Sequence, residues 1–169
     1  MNATLSAWND ADEAVAFDAM LACCGAREWA SAMVALRPIE NVLELSEAAD
    51  RVWATMTEAD WLEAFACHPR IGERKAVQAT AKSAAWSGQE QSSVATAESL
   101  VLEQLAEGNV QYEERFGFTY IVCATGRTAD EMLSILKRRL VNERAIELRE
   151  ATEQQRQITQ IRLGKWLVE

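Results

Sequence analysis

Three polar side chains in this sequence have the chemistry to act on a small molecule: His68, Glu90 and Arg162. His68 is the sole histidine, and imidazole is the one side chain whose ordinary pKa, about 6.5, lies near neutral pH. It stands in Cys67-His68-Pro69, where proline must end the preceding helix, so the ring is expected at a helix C-terminal edge with Pro69 fixing the backbone beneath it. A structural histidine is the competing reading, because a helix C-terminus favours imidazolium and offers carbonyls to the ring. Glu90, in Trp86-Ser87-Gly88-Gln89-Glu90-Gln91, is read as lying in the first turn of a long helix, where free N–H groups and the positive dipole end favour an anion. The alternative there is a dipole-favoured surface glutamate. Arg162, between Ile161 and Leu163, closes the last periodic segment, where a snorkelling arginine is the plainer reading.

The elements that must position these residues read as helices. Asn9 or Asp10 with Glu13 opens a first helix carrying Phe17, Met20, Leu21 and Cys24 up to Gly25. Trp29, Met33 and Leu36 continue the period until Arg37-Pro38. Asn41 with Glu44 opens a third helix, and Thr57 with Asp60 a fourth that runs into His68. From Glu73 to Gln89 the pattern fades, predicting an irregular connection or a short helix. Ser87 to Gln91 then starts what should be the longest helix, ending at Gly117. Phe118-Thr119-Tyr120-Ile121-Val122-Cys123-Ala124 is the one β-like run, and with no partner strand it is expected as buried extended chain whose backbone groups stay partly free to bind something. Thr128 with Glu131 opens another helix, and a charged helix with Ile146, Leu148, Ile158, Ile161 and Leu163 follows.

Composition narrows the partners. At 169 residues, with 49% hydrophobic and 25% charged residues, the chain fits a single globular domain. Seven glycines and two prolines are too few to punctuate an all-β sandwich, so the expected class is all-α: a single-domain helical bundle with one buried extended segment at 118–124. A net charge of -9 would repel phosphate backbones and anionic lipid, which argues against nucleic acid and membrane surfaces. There is no spanning apolar run, and the N-terminus lacks a basic region and an h-region, so a soluble, cytoplasmic protein is expected. Cys23, Cys24, Cys67 and Cys123 offer neither a C-x-x-C pair nor zinc-ligand spacing. They are read as reduced packing residues, and no metal site is expected. Composition alone suits a non-catalytic acidic helical interaction module equally well; a small metal-dependent hydrolase fails on ligand count.

Several segments in order carry a resemblance. His68-Pro69-Arg70-Ile71-Gly72, then Glu90-Gln91, then Asn109-x-x-Tyr112-x-x-x-Phe116-Gly117-x-x-Tyr120-Ile121-Val122-Cys123-Ala124, then Arg139-Leu140-x-Asn142 and Ile161-Arg162-Leu163 resemble the 2-oxo-4-hydroxy-4-carboxy-5-ureidoimidazoline (OHCU) decarboxylase family nearly end to end. The resemblance implies one such domain over 1–169: a cofactor-free, all-helical carboxy-lyase making S-allantoin and carbon dioxide in urate breakdown. It implies that His68 and Glu90 are the catalytic pair and Arg162 a substrate-binding arginine. Pro69, Ser87, Gln91, Phe118 and the backbone from Tyr120 through Ile121, Val122 and Cys123 to Ala124 would line the pocket. Tyr120 stands where the family often has Phe, and Ile71 where Leu is common. The C-terminus, Trp166-Leu167-Val168-Glu169, lacks the peroxisomal ending of some eukaryotic relatives, which points to a bacterial, cytoplasmic enzyme, with room for a homodimer.

Overall fold

The computed structural model describes residues 2–72 and 80–169. Their secondary structure is entirely helical: α1 (Ala3–Asp10), α2 (Glu13–Cys24), α3 (Arg27–Ala35), α4 (Val42–Thr55), α5 (Glu58–Ala66), α6 (Ala81–Glu90), a 3-10 helix (Ser92–Thr96), α7 (Ser99–Phe116), α8 (Ala129–Arg139) and α9 (Arg144–Trp166). The residues divide into two compact units, one of Met1–Ala64 with Arg156–Glu169, the other of Phe65–Gln155.

In the first unit, α2 packs on α3, α3 on α4 and α1 on α2. The cap signals hold at the residues that carry them. Asn41 Oδ1 accepts from Glu44 N–H at 3.0 Å, Thr57 and Asp60 bond reciprocally, and Gly25 ends α2 at φ 91°, a left-handed conformation natural to glycine. Helix α1 was not foreseen, and Asn9 does not open a helix. It lies at the end of α1, where its side-chain amide accepts from Ile39 N–H at 3.0 Å and donates to Ile39 C=O at 2.8 Å. Asp12 takes the cap position of α2 without a side-chain bond. Trp8, Trp29, Trp53 and Trp166 are buried, and the indoles of Trp8 and Trp29 donate to the carbonyls of Ala16 and Ala49. All four cysteines of the chain are unbridged, and Cys23 and Cys24 are buried as the packing reading expects.

In the second unit, α7 packs tightly on α8. A Cβ on Gly108 would come within 2.5 Å of Leu136 Cδ2, so this glycine makes room for the Leu136 side chain, which would have to shift for any larger residue. Thr128 and Glu131 form the complete capping box at the start of α8. Residues 73–79, the first part of the expected irregular connection, lie outside the described residues; from Ala81 the chain is helical. The long helix does not begin at Ser87. Thr80 caps α6 by accepting from Ser83 N–H at 3.1 Å, and Ser87 falls in that helix's last turn. The longest helix is α9, with 23 residues against 18 for α7, because its stripe of buried positions runs unbroken from Glu147 to Trp166.

Candidate active site

The site is built on the loop that leaves α5. His68 N–H closes the helix end on Phe65 C=O at 3.1 Å, placing the ring at the C-terminal edge that Pro69 dictates; Pro69 itself is buried. The rest of the loop is tied down residue by residue. Arg70 makes a two-pronged ion pair with Glu113 of α7, Nε to Oε1 at 2.8 Å and Nη2 to Oε2 at 2.6 Å. Ile71 C=O accepts from Asn109 Nδ2 at 3.1 Å, and Gly72, at φ 97°, donates its N–H to Gln91 Oε1 at 3.0 Å. Asn109 is buried, and its Oδ1 has no hydrogen-bond partner among the described residues. Gln91 therefore holds the histidine loop in addition to any ligand it meets. The imidazole is half-buried, and its Nε2 lies 2.7 Å from Gln155 Oε1 of α9.

The segment from Phe118 to Ala124 is neither helix nor strand and is buried, with Thr119 half-exposed, as the sequence suggests. Its backbone is less free than expected. Arg139 Nη1 donates to Ile121 C=O at 2.7 Å, Gln154 Oε1 accepts from Cys123 N–H at 2.8 Å, and Cys123 and Ala124 carbonyls accept from Arg127. Among the described residues, no hydrogen bond is made by the N–H or C=O of Val122, although the residue is buried. The Phe118 ring packs on Phe65, two residues before the histidine loop, at 5.4 Å. Gln154 and Gln155, adjacent on α9, thus grip the extended segment and the His68 ring together.

Beneath the segment lies a buried ionic cluster that sequence reading did not identify. Arg139 (2% exposed) pairs with Glu147 (0% exposed) through Nε at 2.7 Å, Tyr112 Oη donates to the same carboxylate at 2.5 Å, and Asn142 Nδ2 donates to its other oxygen at 3.0 Å. The guanidinium also lies 5.0 Å from the Tyr120 ring centre. Burial alone would lower the pKa of Arg139, but Glu147, Tyr112 and Tyr120 together outweigh it and the net shift is upward. Burial raises Tyr112 and Tyr120, Arg139 opposes the rise, and Glu147 adds to it.

These are the only two tyrosines in the chain, which makes the shift testable. Their ionisation in the unfolded state, near pH 10, costs stability that is fully present below that pH and is lost as pH rises toward the higher folded values. Phenolate absorbance is therefore expected to appear in step with alkaline loss of helical circular dichroism. Ordinary phenol titration ahead of unfolding would contradict the buried cluster.

Glu90 is placed differently from its expected position. It is the last residue of α6, half-buried, so the helix field there does not favour an anion as the first turn of a helix would. Ser87 is buried one turn earlier, and Gln91, next in sequence, carries the contact to the histidine loop. Arg162 belongs to the first unit and is only 1% exposed, which overturns the snorkelling reading: its charged head is inside. Among the described residues, no three His, Cys, Asp or Glu side chains cluster to hold a metal ion, and no helix is long and apolar enough to cross a membrane.

Residues 9–164 match the OHCU decarboxylase family. The chain belongs to that family. Among its relatives, "Uric acid degradation bifunctional protein TTL" of Arabidopsis thaliana is 40% identical over 144 residues, which cover 85% of this chain and 44% of that protein. The chain thus spans less than half of that relative. The 2-oxo-4-hydroxy-4-carboxy-5-ureidoimidazoline decarboxylase of Amia calva is 28% identical over 134 residues, covering 79% of this chain and 77% of the relative. A crystal structure of OHCU decarboxylase in the presence of (S)-allantoin superposes with a TM-score of 0.78 at 37% identity, covering 90% of this chain and 99% of that one.

Proposed function

We propose that this chain, as one OHCU decarboxylase domain over 1–169, converts OHCU to S-allantoin and carbon dioxide in urate breakdown. Family membership supports the reaction; the observation that supports the site is the His68 ring, held on Gln155 next to the pinned segment at 118–124. In the reaction the bond from C4 to its carboxylate breaks and carbon dioxide leaves. The electron pair flows through C4–C5 to the nitrogen of the adjacent C=N, which takes a proton. The resulting enol gives up its hydroxyl proton as C5 gains one. The substrate supplies its own electron sink, so the protein's part is orientation, charge stabilisation and delivery of one proton to one face.

In this reading His68 handles the proton of the C4 hydroxyl or of C5, and Glu90 orients the hydroxyl and ureido groups. Pro69, Ser87, Gln91, Phe118 and the backbone from Tyr120 to Ala124 line the substrate. The backbone of buried Val122, which makes no hydrogen bond among the described residues, is the part of that segment best suited to bond it. Arg162 supplies a guanidinium to the anionic substrate, a need made acute by a net charge of -9. A cytoplasmic setting fits four unbridged cysteines.

The deciding experiment follows freshly generated OHCU by circular dichroism with and without protein, in the presence of EDTA. Faster decay to optically active allantoin is expected; decay at the background rate to racemic product would refute the assignment. Arg162→Lys is expected to raise KM roughly tenfold, because an ammonium keeps the charge but not the two-pronged donation. An unchanged KM in a folded Arg162→Lys protein would make Arg162 structural.

A further inference from the structure

Gln155 is fully buried, and its Oε1 lies 2.7 Å from His68 Nε2. An amide oxygen has lone pairs and no proton, so a contact this short requires the proton to sit on Nε2. In the neutral ring the remaining lone pair is then on Nδ1. We propose that Gln155 is a positioning residue that keeps the His68 proton on Nε2 and thereby makes Nδ1 the basic atom of the ring. The consequence for turnover rests on the reading of His68 as the proton-handling group. The device is rigid because α9 carries Gln155 beside Gln154, whose own Oε1 is engaged by Cys123 N–H at 2.8 Å, so the ring and the extended segment are registered on consecutive residues of one helix. A hydroxyl or a water in place of the amide oxygen would accept or donate equally and would leave both tautomers accessible.

Because His68 is the sole histidine, ¹⁵N NMR of ring-labelled protein reports its tautomer without assignment ambiguity. At a pH where titration shows the ring to be neutral, the wild-type ring is expected to be protonated on Nε2. Gln155→Met keeps the side chain's length and removes the acceptor. It is expected to shift population to the Nδ1–H tautomer and to lower kcat by about tenfold while KM changes by less than about twofold. Gln154→Met, which removes the contacts to Cys123 N–H and Glu150 Oε1 but keeps Gln155, should leave the ring signals in place. A wild-type ring protonated on Nδ1 overturns the proposal, and this measurement stands even if Gln155→Met does not fold. So does a Gln155→Met protein with the wild-type tautomer and kcat. His68→Ala separates the two levels: full activity there refutes the role of His68 itself, whereas an inactive His68→Ala beside a fully active Gln155→Met refutes only the positioning role.

Discussion

His68→Ala is expected to lose about 10² to 10⁴ in turnover and, with it, the handedness of the product. OHCU decays unaided to racemic allantoin, so a protein with the proposed function must outrun a background reaction and choose the face on which C5 is protonated. Removing a general acid or base costs a factor of that size, enough for the uncatalysed path to compete. The product of the variant should therefore drift toward a racemate as its rate falls, and circular dichroism during turnover reads both at once. The ring is half-buried on a loop held by Glu113, Asn109 and Gln91, and none of these bonds passes through the imidazole. Truncation should thus leave the loop in place. A folded His68→Ala protein that makes S-allantoin at the wild-type rate would remove the histidine from the mechanism.

Glu147→Gln is expected to be the most damaging single change to stability. It leaves the Arg139 guanidinium 2% exposed without its counter-charge, and breaking a buried ion pair from one side typically costs about 3 to 5 kcal/mol. For a chain of this size that is roughly a 10 °C fall in melting temperature. Arg139→Met strands the carboxylate instead and removes the donor to Ile121 C=O, so it should also loosen the extended segment. Replacing both charges, as Arg139→Met with Glu147→Leu, should recover much of the loss, because the unpaired charge is gone. Additive losses in the double variant would show that the two residues do not act as a pair.

What could be read in advance follows a physical division. Local signals held: Asn41, Thr57 and Thr128 cap helices because a side-chain oxygen reaches an N–H three residues on, a relation contained in the sequence itself. Pro69 placed His68 at a helix end for the same local reason. The burial of Phe118 to Ala124 was legible because an isolated run of aromatic and β-branched residues has no other stable place. Glu90 was misplaced because Thr80, a modest cap in a stretch poor in large apolar residues, was outweighed by the Ser and Gln cluster after Trp86. Helix α1 was missed because Asn2, whose Oδ1 accepts from Leu5 N–H, precedes only two large apolar residues, Leu5 and Trp8. The rest of the polar core was hidden for another reason. Glu147, Gln154, Gln155 and Thr159 occupy buried stripe positions of α9, as Arg162 does, and a reading that scores apolar spacing passes over polar residues that keep the same spacing. That coincidence of polar type with core register was the available sign.

The continuity of α9 makes it a ruler. Glu147, which anchors the guanidinium under the extended segment, and Gln155, which meets the imidazole, are separated by about 12 Å of unbroken helix, a distance set by pitch and by nothing else. Residue exchange between the two marks alters volume or charge at one place. Adding or deleting one residue there would turn every later side chain by about 100°, swinging Gln155 off the ring while Glu147 stayed where it is. This stretch is consequently open to drift in composition and closed to drift in length, the reverse of what surface loops tolerate.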